Sequence, residues 1–532
     1  MESSVLDLRN KKIRIYLFAI ASVFVLFYMI HGFAMFNNVL VNDSLKYPEY
    51  YSNEARIELG RWFLSPACAL GSFYDLRAVN GFLSCAYLAL TVCIIIRMFR
   101  IKKYSSVLLI CLLSVSFCTV GALMLWMYTA DGYMMSYLFS MAAAYLSVFD
   151  EYENPVLTGK LPLLKNKMFT SVLAVVFLCL SCGIYQAYMS VYMTVVIMLF
   201  ILRVAGRVEM KGKKNTRTKK QTGDIQWLLH KFVILVSAFV LYFIIWRIVL
   251  AVSGVQASGQ HGTNDIFDGT AFFPRVFKAF AESYKNLMMF LFFGRKMTIE
   301  GMFFVLAAVA TLTLFIYYFV REGLYREKKS FAVILLSVVS LPLMFFYINF
   351  VTEGSQYSAL MIMSMLIPVL FSVVVIEKYT DKTMLQRTAA MILILFGFVS
   401  AVEDNILYFD ATVAFESTMS VGTELKLRID DAIDDNGGVM PSKIMIIGKR
   451  SNAIRSRFNS DSIKSNVSNM DYLIGDSYLI NFLYYQYGYS FEQIHELQSV
   501  DSIKSMSDFP GRDSVKIIED TLVIKLSDDK DW

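Results

Sequence analysis

The sequence has little charge for its length. Only 18% of its 532 residues are Asp, Glu, Lys or Arg, whereas 56% are hydrophobic and 15% are aromatic. So small a charged fraction cannot cover a soluble globule of this size, which makes the lipid bilayer the main solvent of the chain. The net charge of +6 comes from Lys and Arg at the ends of apolar runs, not from a basic face interleaved with aromatic residues. We therefore expect no nucleic acid partner.

Several chemical groups are scarce or missing. The 4 histidines are scattered over separate segments, which gives no support for a His-based metal site. The sequence contains no Gly-rich phosphate loop, which argues against an ATP-driven machine. All 7 cysteines lie in or beside apolar runs, so we expect no disulfide framework. We predict neither a bound metal nor a cofactor.

Long apolar runs fill the chain up to residue 403. About twenty residues are needed to cross roughly 30 Å of hydrocarbon as a helix. A single helix from Met168 to Val204 would measure about 55 Å, so we place a break between two spans at Gly183–Gln186. The predicted spans are residues 15–36, 79–98, 105–127, 132–149, 168–185, 187–204, 232–253, 300–320, 331–350, 358–376 and 388–403.

Cations beside the spans set the predicted orientation. Lys and Arg cluster on one side, for example at Lys11, Lys12 and Arg14 and in the stretch Lys211–Lys220, which makes that side cytoplasmic. The N-terminus is therefore predicted to be cytoplasmic, with the first span retained as an anchor because no small-residue cleavage site follows it. Eleven spans then place the C-terminal region outside.

From about Asn405 the composition turns polar. The pattern predicts a small α/β domain of mixed topology, built from helices near Val413–Ile433 and Asp476–Tyr487, a strand at Lys443–Ile447, and a strand pair at Val515–Ile518 and Leu522–Leu526. The predicted fold is mainly α, with a polytopic transmembrane helical bundle in residues 1–403 and an extracytoplasmic α/β domain in residues 404–532.

The first outer loop concentrates side chains that can carry chemistry. It contains Asp43, Glu58, Arg61 and Trp62, and its apolar residues have a helical spacing that could lay a helix on the membrane surface. An ordinary interfacial loop with snorkelling cations and an aromatic anchor explains these residue types equally well. Asp131 is predicted at the same face, in a short turn between the third and fourth spans, although an Asp-Gly pair is also a good turn former.

Further cations lie at or near the outer side. Arg247 falls inside the seventh predicted span, where an ionised group is costly unless it snorkels or pairs, and a lipid phosphate is a suitable partner. Arg295 and Lys296 follow the amphipathic stretch Phe273–Phe292.

Three short segments carry a family resemblance. They are Leu59-Gly60-Arg61-Trp62, Ala130-Asp131-Gly132-Tyr133 and Ser181-Cys182-Gly183-Ile184-Tyr185-Gln186-Ala187-Tyr188. Together they resemble the type II serotype-converting glucosyltransferases of phages and bacteria, most strongly over roughly residues 30 to 210. The resemblance does not extend visibly into the C-terminal domain.

The resemblance implies a multi-span glycosyltransferase of the GT-C type in the bacterial cytoplasmic (inner) membrane. Such an enzyme moves a hexose, here glucose, from a polyprenyl-phosphate carrier to a lipid-linked or surface glycan such as O-antigen. An acid of the first outer loop would act as base, a role that falls most naturally to Asp43 but that stays open between Asp43, Glu58 and Asp131. The implied substrate-binding residues are Arg61, Tyr185, Gln186, Arg247 and Arg295.

These residue types suit the chemistry. A lipid phosphate is already a competent leaving group, so the enzyme needs one carboxylate for the acceptor's proton and cations for the departing charge. Asn42-Asp43-Ser44 lacks the paired acids of a metal site, which favours transfer without a metal.

Two other functions are compatible with the composition. A lipid-linked glycan flippase or exporter would also be polytopic, but it would be expected to show paired halves or broken helices around a midplane site. A glycan polymerase would more typically expand a loop in the middle of the chain, whereas the large polar part here is terminal.

The predicted topology can be tested with a thiol label that does not cross membranes. A cysteine introduced by Ser468→Cys should react in spheroplasts, whereas Thr216→Cys, in the basic cytoplasmic stretch, should react only after lysis. Labelling of Ser468→Cys only after lysis would contradict the topology.

Overall fold

The computed structural model describes residues 11–37, 39, 54–71, 74–151, 162–212, 223–257, 272–293, 299–326, 328–351, 358–379, 383–448, 476–497 and 500–527. The chain folds into two compact units. One contains most described residues up to Asn405, and the other contains those from Ile406 onward.

The first unit is built from helices. They are α1 (Lys11–Phe36), α2 (Glu54–Glu58), α3 (Leu64–Cys68), α4 (Arg77–Met98), α5 (Tyr104–Val115), α6 (Cys118–Leu125), α7 (Met127–Ser147), α8 (Lys167–Ile184), α9 (Met189–Gly212), α10 (Asp224–Ser253), α11 (Phe272–Met288), α12 (Ile299–Arg321), α13 (Lys328–Val339), α14 (Leu341–Phe345), α15 (Ile348–Val351), α16 (Leu366–Lys378) and the start of α17 (Met384–Asp435).

Many of these helices are long and apolar enough to cross a membrane. Within the described ranges there are 7 such helices, or 8 if the bent pair α5 and α6 counts as one span. The 7 are α1, α4, α8, α9, α10, α12 and the first part of α17. The chain is thus a mainly α, polytopic membrane protein, with fewer continuous spans than the eleven that the sequence predicts.

One predicted span, 132–149, falls in the continuous helix α7, which is not among the 7. The rest of the difference lies in runs that the sequence predicts as single helices but that the structure breaks. The run 105–127 bends by 44° between α5 and α6. The run 331–350 is divided into α13, α14 and α15, with Pro342 in the first turn of α14. The run 358–376 begins with two 3₁₀ turns before α16. A broken run can still fill the depth of a bilayer, provided that neighbours satisfy its freed backbone groups, and Thr119 Oγ1 donates to the Ala359 carbonyl at 2.7 Å.

The predicted break in the long run 168–204 is confirmed. Helix α8 ends at Ile184, Tyr185 is extended, Gln186–Tyr188 form a 3₁₀ turn, and α9 begins at Met189. Because the helix is interrupted here, the side chains of Tyr185 and Gln186 can point in directions that a continuous helix would not allow.

Small polar residues hold α7 close to this break. Ser136 Oγ donates to the Ser181 carbonyl at 2.8 Å, and Ser140 Oγ donates to the Tyr188 carbonyl at 2.7 Å. Small residues let helices approach closely in a membrane, and their hydroxyls link the helices. Helix α7 also packs along α4, and α8 along α10, so the four helices form one block.

Ion pairs occupy the opposite end of the same helices. Arg203, near the end of α9, lies 3.2 Å from Glu151 and 4.0 Å from Asp224, and its guanidinium lies 5.6 Å from the centre of the Trp227 ring. The charges that flank the spans are therefore partly paired with one another.

The second unit contains a four-stranded sheet in the order β2-β1-β4-β3, with β1 at Lys443–Ile447, β2 at Glu492–Gln493, β3 at Val515–Ile518 and β4 at Thr521–Lys525. Strand β1 is parallel to β2 and β4, and β3 pairs antiparallel with β4. Helices α18 (Asp476–Tyr487) and α19 (Val500–Lys504) complete the unit. Its core includes Leu425, Ile429, Phe482 and Ile524. The mixed sheet agrees with the predicted pattern of strands and helices.

Helix α17 differs from its prediction. The sequence suggests a span at 388–403 and a separate helix at 413–433, but α17 is continuous over 52 residues, or about 78 Å. It contains no proline, so nothing in its backbone forces a break between its apolar and its polar part.

Gly448 offers a test of the second unit. Its φ is +74°, and an added Cβ would meet the backbone of Ser527, so Gly448→Ala should destabilise the unit by about 2 kcal/mol or more through backbone strain and a contact that a flexible side chain cannot relieve. Gly437→Ala is the matched control, because Gly437 also has a φ of +74° but open space around its Cβ position. Thermal unfolding of both variants measures the difference, and equal losses would contradict the close approach at Gly448.

Candidate active site

The three segments that carry the family resemblance meet at one end of the bundle. The Phe63 amide donates to the Gly183 carbonyl at 2.8 Å. A Cβ on Gly183 would lie 2.7 Å from two atoms of the Trp62 ring, so only glycine lets the loop approach this closely. Segments that are far apart in the sequence thus form one structure around the break between α8 and α9.

The Gln186 side chain joins the first loop to the bundle. Its Nε2 donates to the Leu59 carbonyl at 2.7 Å and to the Tyr242 hydroxyl at 3.0 Å. The Tyr242 hydroxyl in turn donates to the Gly60 carbonyl at 3.1 Å, and Trp246 Nε1 donates to the Ile57 carbonyl at 2.7 Å. Because Tyr242 and Trp246 are four residues apart, they share one face of α10. The loop backbone is thus held by three buried side chains.

Arg61 lies over an aromatic platform. The Tyr133 and Tyr185 rings are stacked, with centroids 4.6 Å apart and planes within 14°. The Arg61 guanidinium is 4.9 Å from the Tyr185 ring centre, and its NH1 donates to the Tyr133 hydroxyl at 3.2 Å. The stacked rings fix the position of a half-buried cation, which suits it to an anionic group such as a phosphate.

Asp131 is not in a turn, contrary to the sequence-based prediction. It lies in the second turn of α7, and its neighbour Gly132 packs against the Cys68 thiol and the Leu64 side chain. Its carboxylate is fully buried, and the donors beside it are the Cys68 thiol and the backbone amides of Asp131 and Gly132. A buried carboxylate with no cation as a partner among these groups is costly, and such groups are concentrated at functional sites.

The other predicted acids have different surroundings. Glu58 is half-buried at the end of α2, in the loop that Gln186 holds. The described part of the loop forms the short helices α2 and α3, in line with its helical spacing, and packs against the bundle. Asp43 and Arg295 lie outside the described residues. Their predicted roles stay predictions.

Arg247 is not brought to this cluster. It is exposed, and its guanidinium lies 5.5 Å from the centre of the Phe243 ring, one helical turn away on α10. Its neighbour Trp246 faces the loop, and each residue of a helix is rotated by about 100° from the last, so Arg247 points away from the loop. The role of Arg247 in donor binding stays a prediction. Its contact with Phe243 gives that role no support.

Sequence reasoning missed several residues of the site. Tyr242 and Trp246 could have been found from their four-residue spacing, which places two aromatic hydrogen-bond donors on one face of an apolar helix. Asn80 is a polar residue in the first turn of an apolar span and is 1% exposed, next to Asp131.

Within the described ranges no group of three or more His, Cys, Asp or Glu residues could hold a metal ion.

A helical bundle with 7 candidate spans in the described residues, and with an aromatic and cationic cluster at one end, defines the class as a polytopic membrane protein. Residues 32–376 match the family described as glucosyl transferase GtrII, which covers more than half of the chain. The chain therefore belongs to this family of glucosyl transferases, as the three segments predict. No curated protein and no solved structure matches the chain.

The hydrogen bonds of Gln186 predict its mutational effect. Gln186→Leu should lower the free energy of unfolding by about 1–3 kcal/mol, because the Leu59 carbonyl loses its buried donor. Amide hydrogen exchange should rise across residues 54–63.

Tyr192→Phe is the control for this effect. It removes a buried hydroxyl that donates to the Lys231 carbonyl at 3.1 Å, away from the loop. It should destabilise the bundle without raising exchange at residues 54–63, and equal exchange in both variants would contradict the role of Gln186.

Proposed function

We propose that the protein transfers glucose from a polyprenyl-phosphate carrier to a lipid-linked or surface glycan such as O-antigen, at the outer face of the bacterial cytoplasmic membrane. The observation that carries the proposal is the convergence of the three family segments on one cation and one buried carboxylate. These are the two kinds of group that transfer from a lipid phosphate requires.

Charge placement supports the orientation. The site lies at the end of α8 where Tyr185 interrupts the helix, whereas Arg203 and its partner Glu151 lie about 21 Å along α9 from its start at Met189. Arg203, one of the cations that the sequence assigns to the cytoplasm, is therefore far from the site along this helix. A carrier lipid in the outer leaflet would meet the site at the level of its phosphate.

Arg61 is the cation best placed for the donor phosphate. Its guanidinium is held on the Tyr185 ring and is only half-buried, so an anion can approach it from the exposed side. A bidentate contact to two phosphate oxygens would stabilise the charge that develops as the sugar departs. Arg247 and Arg295 are retained as proposed donor contacts on the basis of sequence alone.

The proposed reaction is a single displacement at the sugar. The oxygen of an acceptor hydroxyl forms a bond to the anomeric carbon, while the bond from that carbon to the phosphate oxygen breaks. The leaving electron pair stays on the polyprenyl phosphate, and the hydroxyl proton passes to a carboxylate. No metal or further co-reactant is needed.

Purified protein supplied with polyprenyl-phosphate glucose labelled in the sugar and with a lipid-linked glycan should move the label to the glycan. Transport of an intact lipid-linked glycan across liposomes without such transfer would contradict the proposal and favour a flippase. The assay uses the full chain, so the C-terminal unit is present in the protein that is tested.

The same assay identifies the base. Asp43→Asn, Glu58→Gln and Asp131→Asn each keep the side-chain shape and remove one candidate carboxylate. The change that removes the base should lower the transfer rate by about 10²-fold or more at normal expression, and the other two should have smaller effects. Near-normal rates for all three would contradict base catalysis by these acids.

A further inference from the structure

Helix α11 has an apolar side that the bundle does not cover. Its 17 residues are strongly amphipathic, and it is not one of the helices long and apolar enough to cross a membrane. Ala279 and Ser283 are buried, whereas Phe277, Phe280 and Met288 are 75%, 47% and 45% exposed. Large apolar side chains grouped on one exposed side mark a surface that binds a partner.

Helix α11 is attached to the end of the bundle that carries the site. Asn349 Nδ2, in α15, donates to Ser283 Oγ at 3.3 Å, and both residues are buried. Tyr347 lies between α14 and α15, and its hydroxyl donates to the Gln186 carbonyl in the break between α8 and α9. Helix α11 therefore lies at the same end of the bundle as the first loop.

The turn that follows α11 indicates its depth in the membrane. Met289–Phe293 form a π-helical turn, and the Phe290 ring packs edge-on against Phe304 of the span α12, with ring centroids 5.0 Å apart. Helix α12 begins at Ile299, so this contact lies about 7.5 Å from that end of the span. A helix in the membrane interface buries its apolar side about 5–10 Å into the boundary between head groups and acyl chains. Helix α11 ends at that depth.

The exposed apolar surface of α12 continues onto α11. In the first turns of the span, Ile299, Met302 and Leu306 are exposed. Phe292, in the π-helical turn that contacts the span, is exposed as well, and Met288 lies just before that turn. Because lipid covers the exposed surface of a span, the same lipid reaches α11.

Cations flank the exposed side of α11. Each residue of a helix is rotated by about 100° from the last, which places Lys278 and Lys285 together, beside the stripe that contains Phe277. Both lysines are exposed, so their stems can lie along the apolar surface while the ammonium groups reach lipid phosphates. The helix also contains Arg275 and one acid, Glu282, so its surplus charge is positive and complements anionic head groups.

We propose that α11 lies in the membrane interface at the site end of the bundle and binds anionic phospholipids. Phe277, Phe280 and Met288 lie among the acyl chains, and Lys278 and Lys285 bind the lipid phosphates. The surface thus gathers phosphate-bearing lipids at the end of the bundle that carries the first loop. The proposal goes beyond the transfer reaction, because it concerns the lipids around the protein and holds whichever sugar is moved.

A fluorescent bimane on an introduced cysteine tests the depth of α11 in liposomes. On Phe280→Cys the probe should be quenched by phospholipids brominated in their acyl chains and protected from iodide in the water. On Glu282→Cys, which points to nearly the opposite side of the helix, iodide should quench the probe more strongly. The parent protein treated with the same reagent gives the background from its own cysteines, which are buried except for the half-buried Cys93.

Two results would overturn the interfacial position. Equal quenching by iodide at both positions would place α11 in water. Protection of Phe280→Cys from both iodide and brominated lipid would mean that protein, such as a second copy of the chain, covers the apolar side.

The same probe tests the lysines. In liposomes of phosphatidylcholine that contain a minor fraction of brominated phosphatidylglycerol, quenching at Phe280→Cys reports the local amount of anionic lipid, and brominated phosphatidylcholine at the same fraction is the reference. Lys278→Gln combined with Lys285→Gln should lower the enrichment of phosphatidylglycerol by about 5-fold or more. High salt should lower the enrichment around the unsubstituted lysines, because it screens exposed charges.

Lys165→Gln combined with Lys167→Gln is the matched control. It removes the same two charges from exposed lysines at the start of α8, about 26 Å along that helix from its end at Ile184. This distance exceeds the range of about 10 Å over which exposed charges act at moderate salt, so enrichment at Phe280→Cys should stay unchanged. Equal enrichment with and without the two lysines of α11, or an equal loss in the control, would overturn the binding of anionic lipid.

Discussion

The site depends on the hydrogen bonds of one amide. Gln186 follows the single extended residue between α8 and α9, and its Nε2 holds the Leu59 carbonyl of the first loop and the Tyr242 hydroxyl of α10. In a bilayer no water is available to replace a lost donor, so a side chain that satisfies loop carbonyls decides whether the loop can lie against the bundle. The position of Arg61 follows from that docking, because the loop carries it onto the Tyr185 ring.

The break in the helix is therefore more than a turn between spans. A continuous helix would keep its own backbone hydrogen bonds and would place residues 185 and 186 on its sides. The break sends Tyr185 into a stack with Tyr133 and sends Gln186 toward the loop. Ser136 and Ser140 link α7 to this region by hydrogen bonds to the backbone of Ser181 and Tyr188. They thereby fix the positions of Tyr133 and Asp131, which lie on the same helix, relative to the break.

The site combines well-satisfied and unsatisfied groups. Around Gln186 the carbonyls of Ile57, Leu59 and Gly60 each accept a hydrogen bond from a buried side chain, whereas Asn80 Oδ1 accepts none. Polar groups left unpaired in a protein interior reduce stability, and such groups are concentrated where a ligand completes them. The paired part fixes the loop, and the unpaired part is where chemistry is expected.

The sequence by itself determined the class of the protein, most of its long helices, the break at residues 184–188, three of the four strands of the second unit and the family. These follow from composition, from helical and strand periodicity and from local motifs, which act over short distances along the chain. The sequence could not determine that Asp131 lies inside a helix, that α17 is continuous, or that Arg247 faces away from the loop. Nor could it find the partnership of Asn80 with Asp131, because no sequence pattern links residues whose proximity arises from the packing of α4 against α7. Only the tertiary structure decided which polar groups find partners when water is removed, since each partner of a buried group comes from a distant part of the chain.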